Sequence, residues 1–85
     1  MKHASHPDII KRLKRAEGHL RSVISMLEEG KPCLAIAQQV NAVEAAIANA
    51  KKELIHDHIE HCLEGEPTAD MKSTLRELKQ LAKYL

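Results

Sequence analysis

The chain has 85 residues, 44% of them hydrophobic, a single tyrosine as its aromatic content, and a net charge of +1. That length makes one small domain, residues 1–85, which buries only about 60% of its unfolded surface and leaves a lone monomer short of core. No apolar run is long enough to span a membrane and no leader resembling a signal peptide opens the chain, so a cytoplasmic protein with no membrane partner is expected.

Helix one is predicted over about 7–29. Ser5-His6-Pro7-Asp8 gives a polar entry, with proline in the first turn and an acid at the positive helix end. Ile9, Leu13, Ala16, Leu20, Val23, Ile24 and Leu27 recur at helical spacing, and Gly30 marks the stop. The stretch "KRLKR" at 11–15 gathers Lys11, Arg12, Lys14 and Arg15, while residues 53–70 carry Glu53, Asp57, Glu60, Glu64, Glu66 and Asp70 without a lysine or arginine. A run of charge is ordinarily a solvated face. Clustered at one end of the molecule, it also suits an anion such as nucleic acid.

Helix two is predicted over about 32–63, opened by Pro32 and unbroken until Gly65. Steps of 3.6 residues along it meet Cys33, Ile36, Val40, Val43, Ile47, Ala50, Leu54, His58 and Cys62, an apolar stripe with ligand-type side chains at both ends. Cys33 and His58 are roughly 37 Å apart along a straight helix and cannot meet within one chain. An antiparallel pairing of this helix with its copy brings Cys33 of one subunit beside His58 and Cys62 of the other, with the two-fold axis near Val43 to Ile47. The small side chains of "AVEAAIANA" at 42–50 permit that crossing. One symmetric dimer then makes two shared Cys-His-Cys sites.

Taken singly, a free cysteine is most often a small buried hydrophobe and a histidine on a packing face a hydrogen-bonded core residue. The combination reads differently. His58 and Cys62 stand at i and i+4 on one helix face, and Cys33 lies in a first turn, where the helix dipole favours an anionic ligand. "GEP" at 65–67 is a linker, and Thr68 is a plausible cap for helix three over about 68–84, with a stripe of Leu75, Leu78, Leu81 and Leu85. The fold expected is all-α: a three-helix subunit with a long central helix, in an antiparallel helical dimer. No nucleophile–base–orienter set and no phosphate loop occur, so no catalytic residue is assigned and an enzyme is not expected.

The chain resembles the copper-sensitive operon repressor family, CsoR/RcnR-type, over nearly its full length. The resemblance rests on "RLKRAEGHLR" at 12–21, "GKPCLAIAQQVNAVEAAI" at 30–47 and "HDHIEHC" at 56–62. It implies dimers of three-helix subunits, usually paired into a homotetramer, that repress a promoter by binding double-stranded operator DNA through a flat basic helical face until an inducer binds. Position by position, it implies Cys33, His58 and Cys62 as metal ligands and Arg12, with Lys14 and Arg15 beside it and Lys52, as DNA-binding residues. It further implies Glu77 as a carboxylate hydrogen-bonding near the ligand histidine. Two positions depart from the pattern. Pro32 stands where some copper sensors have tyrosine, and Glu17 where other branches carry arginine.

Two thiolates and one imidazole suit Cu(I), a soft ion content with three ligands. Ni(II) is the competing inducer and takes a fourth ligand, for which His3 or His6 is available and which His61 could join, although a flexible tail is the plainer reading of "MKHASH". His56 points to another face. Persulfide sensing through Cys33 and Cys62 is a further alternative, against which His58 argues. Formaldehyde-sensing relatives disagree at Lys2 and Cys62. A metal-carrier helical protein without DNA binding would share the ligands and have no use for the helix-one basic cluster. A gel shift comparing the wild type with Arg12→Ala and Arg15→Ala separates the two.

Overall fold

Three helices follow one another: α1 (His6–Glu28), α2 (Cys33–Glu64) and α3 (Met71–Ala82). The computed structural model describes the backbone of residues 6–64 and 71–85 and the side chains of residues 6–61 and 71–85, so the expected cap at Thr68 lies outside the described residues. Among the described residues there is no strand, and no helix is long and apolar enough to cross a membrane.

The turn between α1 and α2 follows from Gly30. Its φ of 69° lies in the left-handed region that a residue without Cβ adopts without penalty. Lys31 N–H then donates to the Met26 carbonyl at 3.0 Å and Gly30 N–H to the Leu27 carbonyl at 3.2 Å. This is the paired closure of a Schellman motif, and it satisfies carbonyls the helix end would leave open. α2 opens one residue later than expected. Ile36 N–H donates to the Pro32 carbonyl at 3.1 Å, so Pro32 is the cap and Cys33 the first helical residue. α3 stops at Ala82 rather than 84, because Lys83, Tyr84 and Leu85 donate to Gln80, Leu81 and Ala82, three residues back instead of four. Leu78 and Leu81 of its predicted stripe are half-buried, whereas Leu75 and Leu85 are exposed.

α1 and α2 form an antiparallel hairpin, shown by the pairs His6–Asp57, Arg12–Glu53 and His19–Gln39, whose numbers fall along α2 as they rise along α1. The buried residues repeat every seven positions on each helix, Ile9, Ala16 and Val23 facing Ile36, Val43 and Ala50, with Ile55 buried further along α2. The single stripe expected on α2 is therefore two seams. Ile36, Val43 and Ala50 face α1. Val40, Ile47 and Leu54, also seven apart, stay exposed, as do Leu13, Leu20 and Leu27 on α1. The described chain has a Cα radius of gyration of 17.6 Å, against about 12 Å for a compact fold of this length. It is a rod that leaves Val40, Ile47, Leu54 and the leucines of α1 on its surface.

Candidate metal centre and basic groove

Near its C-terminal end α2 presents a group of polar side chains. His58 is half-buried, and its Nε2 lies 2.9 Å from Oε1 of Glu77 on α3. This contact links the end of α2 to the third helix. A ring held through Nε2 would meet a metal through Nδ1, the usual division of labour in a carboxylate–histidine–metal arrangement.

His6, in the first turn of α1, places Nε2 3.9 Å from Oδ2 of Asp57, so the start of α1 sits beside the same end of α2. His61 is half-buried on α2, and His56 is exposed. Cys62 is in α2 four residues after His58, but its side chain, like His3 as a whole, lies outside the described residues.

Cys33 is exposed at the opposite end of α2. Twenty-five residues of helix separate it from His58, roughly 37 Å. Among the described residues no three histidine, cysteine or acidic side chains converge in a way that could hold a metal. The donors are nonetheless a soft thiol and borderline imidazoles, and Cys33 lies seven residues before Val40 on the exposed seam. The donor set fits a soft or borderline ion in type, with the thiol and the imidazole on separate ends of the rod.

The basic residues lie along α1 and the outer side of α2. Lys11, Arg12, Lys14, Arg15, Lys51 and Lys52 are all exposed. Between the two helices runs a shallow groove of about 280 Å³, lined by Arg12, Arg15 and His19 on one side and Asn49 on the other, with Ala16 and Ala46 among its lining residues. The small alanines are what leave the depression open. At its end Arg12 Nη1 donates to Oε1 of Glu53, and His19 Nε2 is 2.6 Å from Oε1 of Gln39.

Three of these residues, Glu53, Asp57 and Gln39, carry no signature of their own in the sequence. Their roles come from hairpin register: with the turn at Gly30, numbers rise along α1 as they fall along α2, and long side chains reach a few residues either side of the direct partner. His19 with Gln39, His6 with Asp57 and Arg12 with Glu53 follow that register.

A family model described as metal-sensitive transcriptional repressor matches residues 5–84. The copper-sensing transcriptional repressor RicR of Mycobacterium tuberculosis is 39% identical over 67 residues, covering 73% of this chain and 70% of that protein. The copper-sensing transcriptional repressor CsoR of Bacillus subtilis is 36% identical over 76 residues, covering 88% and 75%. Among solved structures, a variant of the formaldehyde-responsive regulator FrmR from Salmonella enterica serovar Typhimurium superposes with a TM-score of 0.80 at 34% identity, covering 93% of this chain and 92% of that one. The nickel-responsive transcriptional regulator InrS does so with a TM-score of 0.80 at 31% identity, covering 100% and 98%. A chain matched from residue 5 to residue 84 by that model belongs to the CsoR/RcnR family of metal-sensitive transcriptional repressors, which are not enzymes.

Proposed function

We propose that this protein is a Cu(I)-responsive repressor, bound to double-stranded operator DNA in its metal-free form and released when Cu(I) binds between subunits. Cys33 of one subunit with His58 and Cys62 of another is the ligand set. The observation that carries the reading is the exposed seam on α2. With a two-fold axis at Ile47, antiparallel pairing sets Val40 against Leu54 of the partner subunit and Ile47 against its own copy. The same register sets Cys33 opposite position 61 of the partner subunit, between that subunit's His58 and Cys62. The apolar contacts and the ligand contacts are thus satisfied by one alignment.

Self-association also supplies the missing core. Fully burying an exposed Leu or Val side chain is worth about 1.5–3 kcal/mol, and the half-exposed residues of the α2 seam and the α1 leucines each stand to gain a part of that. Pairing of two such dimers into a homotetramer would extend the basic face. On that face Arg12, Lys14, Arg15 and Lys52 contact phosphates, so binding should weaken steeply with salt.

Bound at this site, Cu(I) supplies a soft centre that two thiolates and an imidazole satisfy without a fourth ligand. His58 would hold the ion through Nδ1, the nitrogen left by its Nε2 contact with Glu77. Glu77, standing on α3, would couple the orientation of that ring to the third helix and to the spacing of the basic residues. Release of DNA requires that metal-bound and metal-free forms differ in operator affinity, by 1–3 kcal/mol in typical allosteric systems.

A Ni(II)-responsive repressor is the second reading, favoured by the position of His6. It sits beside Asp57, one residue from His58, where it can provide a fourth ligand; His3, outside the described residues, and His61 are the other candidates. The similarity to InrS, named as nickel-responsive, supports the same reading. Anaerobic titration with Cu(I) and with Ni(II), followed by absorption and by operator release, decides between them. Release at stoichiometric Cu(I) supports the first; retention with saturating Cu(I) and release with Ni(II) selects the second.

A further inference from the structure

The groove between α1 and α2 has one feature that the metal reading leaves unused. Its lining donors, the guanidinium groups of Arg12 and Arg15, the ring of His19 and the amide of Asn49, face a space large enough for a phosphate group. At the end of that space Arg12 is already engaged by a carboxylate, Glu53 of α2. Both side chains are about half exposed, 51% and 42%, so the pair is open to competition from solvent-borne anions.

We infer that the groove seats an operator phosphate and that Glu53 is the anion this phosphate displaces from Arg12. The inference rests on the repressor reading and adds to it. Glu53 holds operator affinity down, and His19 and Asn49 join the arginines in positioning the phosphate. Nη1 of Arg12 meets a single carboxylate oxygen, and a phosphate oxygen approaching that N–H competes with it directly. Docking the groove on DNA therefore weakens the Arg12–Glu53 pair.

The test is operator affinity, measured by fluorescence anisotropy with labelled promoter DNA and metal-free protein, for the wild type, Glu53→Gln and Glu28→Gln. Glu28 is an exposed acid on α1, sixteen residues and roughly 24 Å from Arg12, well beyond the ~8 Å screening length at physiological salt. Glu53→Gln should bind about fivefold more tightly, the scale of an exposed ion pair. Glu28→Gln should be unchanged, and helicity by circular dichroism should be the same for all three. The gain from Glu53→Gln should disappear in an Arg12→Gln background, measured at low salt. Equal gains in Glu28→Gln and Glu53→Gln would overturn the inference, as would no gain in Glu53→Gln or a gain that survives loss of Arg12. Failure of the wild type to bind its operator at all removes the repressor reading first and this inference with it.

Discussion

His58 near the end of α2 and Glu77 in the middle of α3 stand with Nε2 and Oε1 2.9 Å apart, so the proposed ligand is in contact with the third helix. No long lever is needed between the candidate ligand and α3.

Removing that carboxylate should separate metal binding from its consequence. Glu77→Ala is expected to lower Cu(I) affinity by about 10–100-fold, the usual effect of losing the partner of a ligating histidine. Once the site is filled, operator release should be largely lost. Competition titration with a Cu(I) chelator, run in parallel with operator anisotropy, reads both quantities. Full release from Glu77→Ala at wild-type metal occupancy would show that the signal leaves the site by another route.

The shared site makes a stricter prediction. Cys33→Ala and His58→Ala subunits should each fail to bind Cu(I) with high affinity when prepared alone. Mixed in equal amounts and refolded together, they form half heterodimers, each with one intact and one doubly broken site, so about one quarter of all sites returns. Absorption from thiolate-to-copper charge transfer counts the recovered sites. No recovery on mixing would mean that the ligands come from one chain or from a different pairing.

The seam at Ile47 should be the weakest point of the assembly. Its side chain is 45% exposed in the single chain and, at the proposed axis, meets its own copy. Ile47→Glu would set two carboxylates face to face in an apolar contact, costing several kcal/mol. Sedimentation should show monomer, with much of the helicity lost because the hairpin alone has so little core. A dimer of unchanged stability would place the axis elsewhere.

Much of this arrangement is legible in the sequence, and most of what is not depends on where α1 packs. The helices, the turn at Gly30 and the pairing of ligand types at the ends of α2 follow from local spacing. The division of the α2 stripe does not. Periodicity placed Ile36, Val40, Val43 and Ile47 on one face, and only the position of α1 shows that Ile36 and Val43 are spent on the hairpin while Val40 and Ile47 remain exposed. Arg12 shows the same limit: its sequence context marks it as free basic charge, whereas the hairpin register hands it to Glu53. The end of α3 was overrun because leucine at 85 continued the apolar period after the hydrogen bonding had tightened to three-residue turns. The first two misses are long-range contacts overriding a local pattern, and the third is a local change of hydrogen bonding that side-chain periodicity does not report.

The two glycines that bracket the second half of α1 should respond to alanine with opposite signs. Gly18 lies inside α1, and a Cβ built there meets nothing within 4 Å. Glycine in a helix interior is about 1 kcal/mol worse than alanine, so Gly18→Ala should stabilise the fold by that amount per subunit. Gly30 also has open space around a built Cβ, but its φ of 69° charges any L side chain with left-handed backbone strain. Gly30→Ala should therefore destabilise by about 1–2 kcal/mol without any clash to blame. Paired thermal melts at equal protein concentration compare them, with shifts of about 4–8 °C per kcal/mol for a domain of this size. Gly30→Asn gives the discriminating third melt, since asparagine tolerates the left-handed region and should recover part of the loss. If instead Gly18→Ala lowers the melting temperature, something in the assembled protein packs closely on α1 at that point, and the open space seen around Gly18 belongs to the single chain alone.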